Sequence, residues 1–157
     1  MKNKFKFLIP IFFLFLSEIN TFASEDFIFE SKSIEIEQNN NIIAKDGVKV
    51  VTSDGLEIFA DKSEYNKDTK ILKLENNVKI LDKIQSYKIS SDYIIYNKFL
   101  EKIISKTNTK IEIDDAYVVS GEDIIFFRSE FKIQSAQPSK LKDKFDNEIK
   151  LTSFDYS

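Results

Sequence analysis

The sequence predicts an all-β fold in which antiparallel strands are built from a short internal repeat. Apolar and charged residues alternate along many short segments, and this alternation is typical of strands with one buried face and one face in water. Polar turn clusters recur about every ten residues, a spacing that a β-sandwich, a barrel or a jellyroll requires. Related segments also recur every 31 residues, which indicates that the strands form repeated units.

Alternation identifies the individual strands. The alternating segments are Ser33–Glu37, Gly47–Val50, Lys70–Glu75, Val78–Ile80 and Lys110–Ile113. The clusters predicted as turns between them are Gln38–Asn41, Ser53–Gly55, Asn66–Thr69, Asn76–Asn77, Lys106–Asn108 and Asp114–Asp115. The abundance of Ile favours strands by composition alone. Composition does not order the residues, however, so the alternation remains an independent signal.

The repeat is carried by three aspartates and three aromatic residues. At intervals of 31 residues, each aspartate is followed four positions later by an aromatic residue: Asp61 and Tyr65, Asp92 and Tyr96, Asp123 and Phe127. A unit this small cannot bury its own apolar face, so the copies must stack to share one core. We expect the aspartates to accept backbone N–H bonds in turns, and the aromatic residues to pack across strands. Both roles are structural.

The first 23 residues resemble an export signal. Three lysines within the first six residues precede Phe7–Leu16, an unbroken run of ten apolar residues. That run is shorter than the roughly 20 residues that span a bilayer. Thr21–Ala23 offers a small-x-small cleavage site. We therefore expect a signal peptide, residues 1–23, that is removed after Ala23, the alternative being an uncleaved N-terminal anchor.

Residues 24–157 are long enough for one domain with its own core. Alternation resumes over Glu148–Tyr156 and then stops at Ser157 without a turn or cap. From this ending we expect a truncated gene product. Residues 1–23 hold three of the lysines and one glutamate, so the remainder carries a net charge of −5. This negative balance argues against nucleic acid as a partner.

The residue types present argue against catalysis. The chain contains no Cys and no His, which excludes disulfides, thiolate chemistry and the commonest metal ligand and general base. Three glycines are too few for a phosphate-binding loop. Adjacent acidic pairs, such as Asp114–Asp115 and Glu122–Asp123, would point to opposite faces of a strand or lie in a turn. We therefore expect no enzyme, no cofactor and no metal site.

The apolar face remains as the candidate site. An incompletely filled space between two sheets can accept acyl chains, because apolar burial needs area and shape but no special residue type. The residues expected to line this groove are Val48, Val50, Ile58, Leu72, Leu74, Val78, Ile80 and Ile89. Unpaired end strands can add to another sheet through main-chain hydrogen bonds. The alternative is an exported β-solenoid scaffold whose interior is filled and binds no lipid.

Two copies of the repeat resemble a known family. Ile43–Val50, Asp54–Asp61 and Tyr65 are similar to the pattern A-x-G-N-V-x-V … I-x-A-D-x-x-x-Y of the OstA-like lipopolysaccharide-transport family. The second copy is carried by Leu74–Ile80 and Ser91–Asn97. The usual Gly-Asn pair is replaced in both copies, and the third copy is eroded. The resemblance extends over about residues 27 to 156.

The resemblance implies a β-jellyroll that transfers lipopolysaccharide from the periplasm to the outer membrane. Its implied partners are lipopolysaccharide, a periplasmic bridge jellyroll joined by β-strand addition, and a lipoprotein plug if a barrel follows. The tail, Lys142–Tyr156, is similar to the region before the barrel of the family's outer-membrane lipopolysaccharide-assembly protein. The chain is therefore most like the N-terminal periplasmic domain of that protein, at the periplasmic face of the outer membrane. The free periplasmic bridge is the alternative within the family.

Overall fold

The computed structural model describes residues 20–23, 26–38 and 40–156. Most of the predicted signal peptide lies outside these residues, and only its last four residues are described, as a strand. The described chain forms fifteen strands, and every pairing between them is antiparallel. None of the described residues belongs to a helix long and apolar enough to cross a membrane. The predicted antiparallel all-β jellyroll class is confirmed.

The strands vary in length from three to twelve residues. They are β1 Asn20–Ala23, β2 Phe27–Ser31, β3 Ser33–Ile36, β4 Asn41–Thr52, β5 Glu57–Asn66, β6 Ile71–Asp82, β7 Tyr87–Asn97, β8 Lys102–Ser105, β9 Thr109–Ile113, β10 Tyr117–Gly121, β11 Ile125–Phe127, β12 Lys132–Ser135, β13 Ser139–Asp143, β14 Glu148–Leu151 and β15 Phe154–Tyr156. The predicted repeat corresponds to successive hairpins of long strands, β4–β5 and then β6–β7.

The long strands change direction near their middles. The pairing register shifts at residues 45–48 of β4, 59–62 of β5 and 75–78 of β6. Beyond β7 the irregularity becomes a break, because β8 pairs with the second part of β7 and β9 pairs with the first part. We call this line of irregularities the bend. It divides one continuous sheet into two half-sheets.

Each half-sheet has its own set of strands. The first half-sheet contains β1, β2, β9, β10, β13 and β14, with residues 48–52, 57–60, 78–82 and 87–91. The second half-sheet contains β3, β8, β11, β12 and β15, with residues 41–45, 62–66, 71–75 and 93–97. The sheet is not closed, and its opposite edges are formed by β1 and β3 and by β14 and β15.

The bend is built from residues that tolerate a left-handed backbone. Asp46 and Gly47 in β4 have φ angles of 64° and 86°, and Asn76 and Asn77 in β6 have φ angles of 61° and 52°. Gly, Asn and Asp adopt this conformation more readily than other residues. The prediction of a turn at Asn76–Asn77 is wrong, because this pair lies inside β6. A bulge and a tight turn select the same residue types, so the local sequence does not separate them.

Buried hydroxyl groups line the inside of the bend. The Ser91 Oγ lies 3.1 Å from the Ser105 Oγ and receives a 2.9 Å hydrogen bond from the Thr109 Oγ1. Ser31 and Ser135 donate to backbone carbonyl groups where their strands end. Main-chain groups freed by the interrupted ladder need such partners when they are buried. Small hydroxyl side chains therefore allow the sheet to fold back on itself.

The inner faces of the half-sheets pack against each other. Phe27 of the first half-sheet meets Tyr65 of the second edge-to-face, with ring centroids 4.7 Å apart. Tyr87 and Phe126 repeat this contact further along the sheet, at 4.8 Å. Such pairs add about 0.5–1.5 kcal/mol each beyond the area that they bury. Buried apolar residues from both half-sheets form one cluster, which is the core of the molecule.

Candidate functional site: an apolar interior closed by an ionic seam

All eight residues predicted to line a groove lie in this core cluster. Leu72 and Leu74 belong to the second half-sheet and the other six belong to the first. None of the eight has more than 3% of its surface exposed. Side chains at alternate strand positions produce this burial, because residues i and i+2 of a strand face the same side. The chain therefore brings the predicted residues together on the inner faces, which are in contact in this structure.

The repeat residues occupy different positions from one copy to the next. Asp61 and Asp92 lie at the bend, inside β5 and β7, with exposed side chains, rather than between a turn and a strand. The Asp61 carboxylate accepts a 2.8 Å hydrogen bond from the Asn77 side chain across the bulge. Asp123 is left-handed (φ 49°) and accepts a 3.1 Å bond from Lys106. These aspartates thus mark the bend in each copy.

The aromatic residues of the repeat differ in burial from one copy to the next. Tyr65 and Tyr96 are fully buried, whereas Phe127 is half-buried, with the Lys102 ammonium 5.2 Å from its ring centre. In the third copy Phe126 occupies the core position, because Ile103 pairs with Tyr96 on one side and with Phe126 on the other. A shift of one residue moves a side chain to the opposite face of a strand. The structure therefore offsets the third copy by one position.

The half-sheets are joined a second time at the ends remote from the bend. There the turns of the first half-sheet meet the turns of the second through charged side chains. We call these contacts the seam; its residues are Asp26, Asp54 and Asp82 from the first half-sheet, and Lys70, Lys98, Glu101 and Arg128 from the second. The core lies between the seam and the bend.

Arg128 is the centre of the seam. Its guanidinium, only 6% exposed, donates from Nε to the Tyr87 hydroxyl at 2.7 Å and from Nη2 to the Asp82 carboxylate at 2.9 Å. Nη1 lies 3.0 Å from an Asp54 oxygen and also contacts Glu101. Asp54 and Asp82 belong to one half-sheet and Glu101 to the other. One buried cation thereby ties together the turns of both half-sheets.

Further contacts extend the seam towards β1. The Lys98 ammonium lies 3.5 Å from Asp54 and 2.6 Å from Glu101. The Asp26 carboxylate accepts a 2.8 Å hydrogen bond from Lys70 and another from the hydroxyl of Tyr65. Tyr65 thus contributes its ring to the core and its hydroxyl to the seam.

The Asp54 and Asp82 carboxyl groups of the seam remain ionised at neutral pH. Burial alone would raise the pKa of Asp54, but a hydrogen bond with Thr52 and the charge of Arg128 outweigh burial and lower this pKa to about 2. For Asp82, burial is likewise outweighed, by the Gln85 backbone N–H and by Arg128, so its pKa is also lowered. Burial raises the pKa of the Tyr87 and Tyr96 hydroxyls, which remain neutral; Tyr87 accepts from Arg128 and Tyr96 donates to Glu101.

Sequence reasoning did not identify the seam. Its acidic members lie in or beside turns, where charge normally indicates solvation, and its contacts join residues up to 74 positions apart. One signal was nevertheless present, because Arg128 is the single arginine among 23 basic residues. Arginine offers five donors in a rigid plane and is preferred over lysine for buried ion pairs. An isolated arginine in a lysine-rich chain therefore points to such a position.

Comparison with known proteins places the chain in a family. The sequence model described as OstA-like protein matches residues 20–137, well over half of the 157 residues. A comparison with curated proteins finds no match. The OstA-like family is associated with the transport of lipopolysaccharide and other lipids, and its members are generally exported and non-enzymatic. The two bent half-sheets, the shared apolar core and the extent of this match together show that the chain belongs to the OstA-like family.

Proposed function

We propose that the protein transfers lipopolysaccharide from the periplasm towards the outer membrane, without catalysing a reaction. The observation that supports this most directly is the apolar interior between two half-sheets, in a chain of a lipid-transport family. Acyl chains would lie along the inner faces, against the eight core residues named above. Membership of the family supports an exported protein, and we place this one at the periplasmic face of the outer membrane.

Binding of acyl chains requires the half-sheets to separate. Residues that are at most 3% exposed offer no open groove, so an acyl chain must replace contacts between the two inner faces. Each buried methylene contributes about 0.8 kcal/mol. A chain of ten methylenes therefore offers about 8 kcal/mol against the packing that is lost.

The edges of the sheet supply docking surfaces for sister proteins. In the described chain, β3 pairs only with β4, and β14 pairs only with β13. The remaining main-chain donors and acceptors of such strands can extend a neighbouring sheet. We propose that a periplasmic bridge jellyroll adds to one of these edges by strand pairing. Apolar interiors would then line up from one protein to the next.

Photo-crosslinking tests the proposed lipid site. A photoreactive amino acid at Val50, Leu74 or Ile80 should crosslink lipopolysaccharide in living cells. The same residue at Lys79 on β6 or at Lys110 on β9, whose side chains are exposed, is the matched control. Crosslinks from the exposed positions alone would contradict the proposed site.

Close packing of the interior also favours a second candidate, an exported structural scaffold with a filled core. The observation that favours it is the complete burial of Ile58, Leu72 and Leu74. A scaffold predicts no crosslinks to lipid from any inner position. It also predicts that added acyl chains leave the thermal stability unchanged, since nothing binds the native state.

A further inference from the structure

The interior has four boundaries, and three of them have an assigned role. The bend closes one side with continuous strands, and the two sheet edges are the proposed docking surfaces. The seam is the fourth boundary. It joins the half-sheets by side chains alone, because no strand pairing of the described residues crosses it. Side-chain contacts can open without breaking a strand, so the seam can part while the sheet stays intact.

Exposed apolar side chains flank the centre of the seam. Ile84 lies in the turn that begins with Asp82, and it is 79% exposed. Phe99 and Leu100 lie in the turn between Lys98 and Glu101, and Phe99 is 82% exposed. Two turns from opposite half-sheets, whose Asp82 and Glu101 contact the Arg128 guanidinium, therefore also carry apolar side chains that are exposed to solvent. Exposed apolar side chains at the rim of an apolar interior can make the first contacts with an acyl chain, because burial of apolar surface is favourable.

We infer that the seam is the entry site, or port, through which acyl chains of a lipid reach the interior. The contacts of Arg128 hold this port closed. Ile84 and Phe99 meet the acyl chain first, and the contacts of Arg128 with Asp54 and Asp82 part to admit it. The inference rests on the proposed function and adds a route to it. The route lies across the two half-sheets, rather than along the sheet from an edge.

A removable bridge across the seam tests this route. The chain has no cysteine, so the double variant Asp54→Cys/Lys98→Cys carries one unique pair, whose native side chains lie 3.5 Å apart across the seam. A short bis-methanethiosulfonate linker joins the two thiols, and a reductant removes it. The matched control is Glu57→Cys/Lys83→Cys, whose native side chains lie 2.6 Å apart within one half-sheet, at the start of β5 and in the turn after β6.

The measured quantity is the rate at which the purified chain takes up parinaric acid, a fluorescent fatty acid. We expect the bridged seam to slow uptake at least tenfold, reduction to restore it, and the bridged control pair to leave it unchanged. Unchanged uptake across a bridged seam would overturn the route and leave the proposed function intact. A wild-type chain that takes up no parinaric acid would contradict the proposed function itself.

Loading the fluorescent probe before the linker is added distinguishes two explanations of slow uptake. The linker either closes the port or narrows the interior itself. If the seam is the port, probe loaded before bridging is trapped, and its dissociation slows at least tenfold until reductant is added. If the bridge only narrows the interior, the loaded probe is expelled when the linker reacts. Expulsion would therefore overturn the port.

The apolar turns are tested by a second pair of variants. Ile84→Ser/Phe99→Ser should slow uptake several-fold, because the first contacts of the acyl chain are lost. Phe145→Ser is the control, since Phe145 is 75% exposed on the turn between β13 and β14, which contributes no residue to the seam. Equal effects of both variants would remove Ile84 and Phe99 from the port.

Discussion

The bend and the seam join the same two half-sheets by opposite means. At the bend the long strands β4–β7 run from one half-sheet into the other, and neutral hydroxyls such as those of Ser91 and Thr109 donate to backbone carbonyl groups where the ladder is interrupted. At the seam the partners are charged side chains far apart in sequence, as Arg128 and Asp54 are. Continuous strands resist separation, whereas ion pairs can exchange their partners for water. In the proposed route, the molecule hinges at the bend and opens at the seam.

The largest expected effect comes from removing the charge at the centre of the seam. Arg128→Leu leaves the buried Asp82 carboxylate without its cation, which should lower the free energy of unfolding by about 3–5 kcal/mol. Urea denaturation measures this loss. The control Lys73→Leu, which breaks a partly exposed pair with Glu64, should change the same quantity by less than about 1 kcal/mol.

A second substitution at the seam tests the cause of the stability loss in Arg128→Leu. Adding Asp82→Leu to Arg128→Leu should recover part of the lost stability, because an apolar pair replaces the buried ion pair. If the double variant were less stable than Arg128→Leu alone, the uncompensated Asp82 charge would not be the cause of the loss.

The next largest effect is expected at the bend, where backbone segments approach closely. A Cβ atom at Gly121 would lie 2.5 Å from the Ser139 Oγ, so Gly121→Ala should lower the free energy of unfolding by about 1–3 kcal/mol. In Gly121→Ala/Ser139→Gly the clash is absent, and the two substitutions should couple favourably in a double-mutant cycle. Additive effects would mean that the contact does not limit this position.

A smaller effect is expected from the hydroxyl network. Ser91→Ala removes the acceptor of the Thr109 bond and should cost about 1 kcal/mol in the free energy of unfolding. Ser90→Ala, on the outer side of the same strand, is the matched control. A loss equal to that of the control would show that the buried hydroxyls do not support the bend.

The smallest effect is expected in the pH dependence of stability, because the Asp54 side chain is 43% exposed and solvent screens its interactions. Because the pKa of Asp54 is lowered from 3.8 to about 2, the folded state binds fewer protons than the unfolded state in this range. Stability is therefore fully present above pH 3.8 and is lost as the pH falls towards 2. Urea denaturation between these values should give a shallower dependence for Asp54→Asn. An unchanged slope would show that Asp54 does not contribute.

The alternation of apolar and charged residues was sufficient to predict the strands but not the contacts of the seam. Alternation identified segments such as Val78–Ile80, because each strand must distinguish an inner from an outer face. The same alternation predicted two strands where the structure has the single strand β6. The reason is that the bulge at Asn76–Asn77 contains residue types that are also typical of a turn. The contacts of Arg128 depend on which turns meet after the sheet has bent, and no period in the sequence encodes that meeting. The strand topology, rather than the conformational preference of single residues, therefore determines the contacts of Arg128.

The stacking of hairpins has a consequence for size. Each 31-residue unit adds two strands to the sheet, and neighbouring strands are about 4.8 Å apart. One further unit would therefore lengthen the apolar core between the half-sheets by about 10 Å while leaving its cross-section unchanged. Gain or loss of a whole 31-residue unit would consequently change the length of such a protein without changing the packing of its interior.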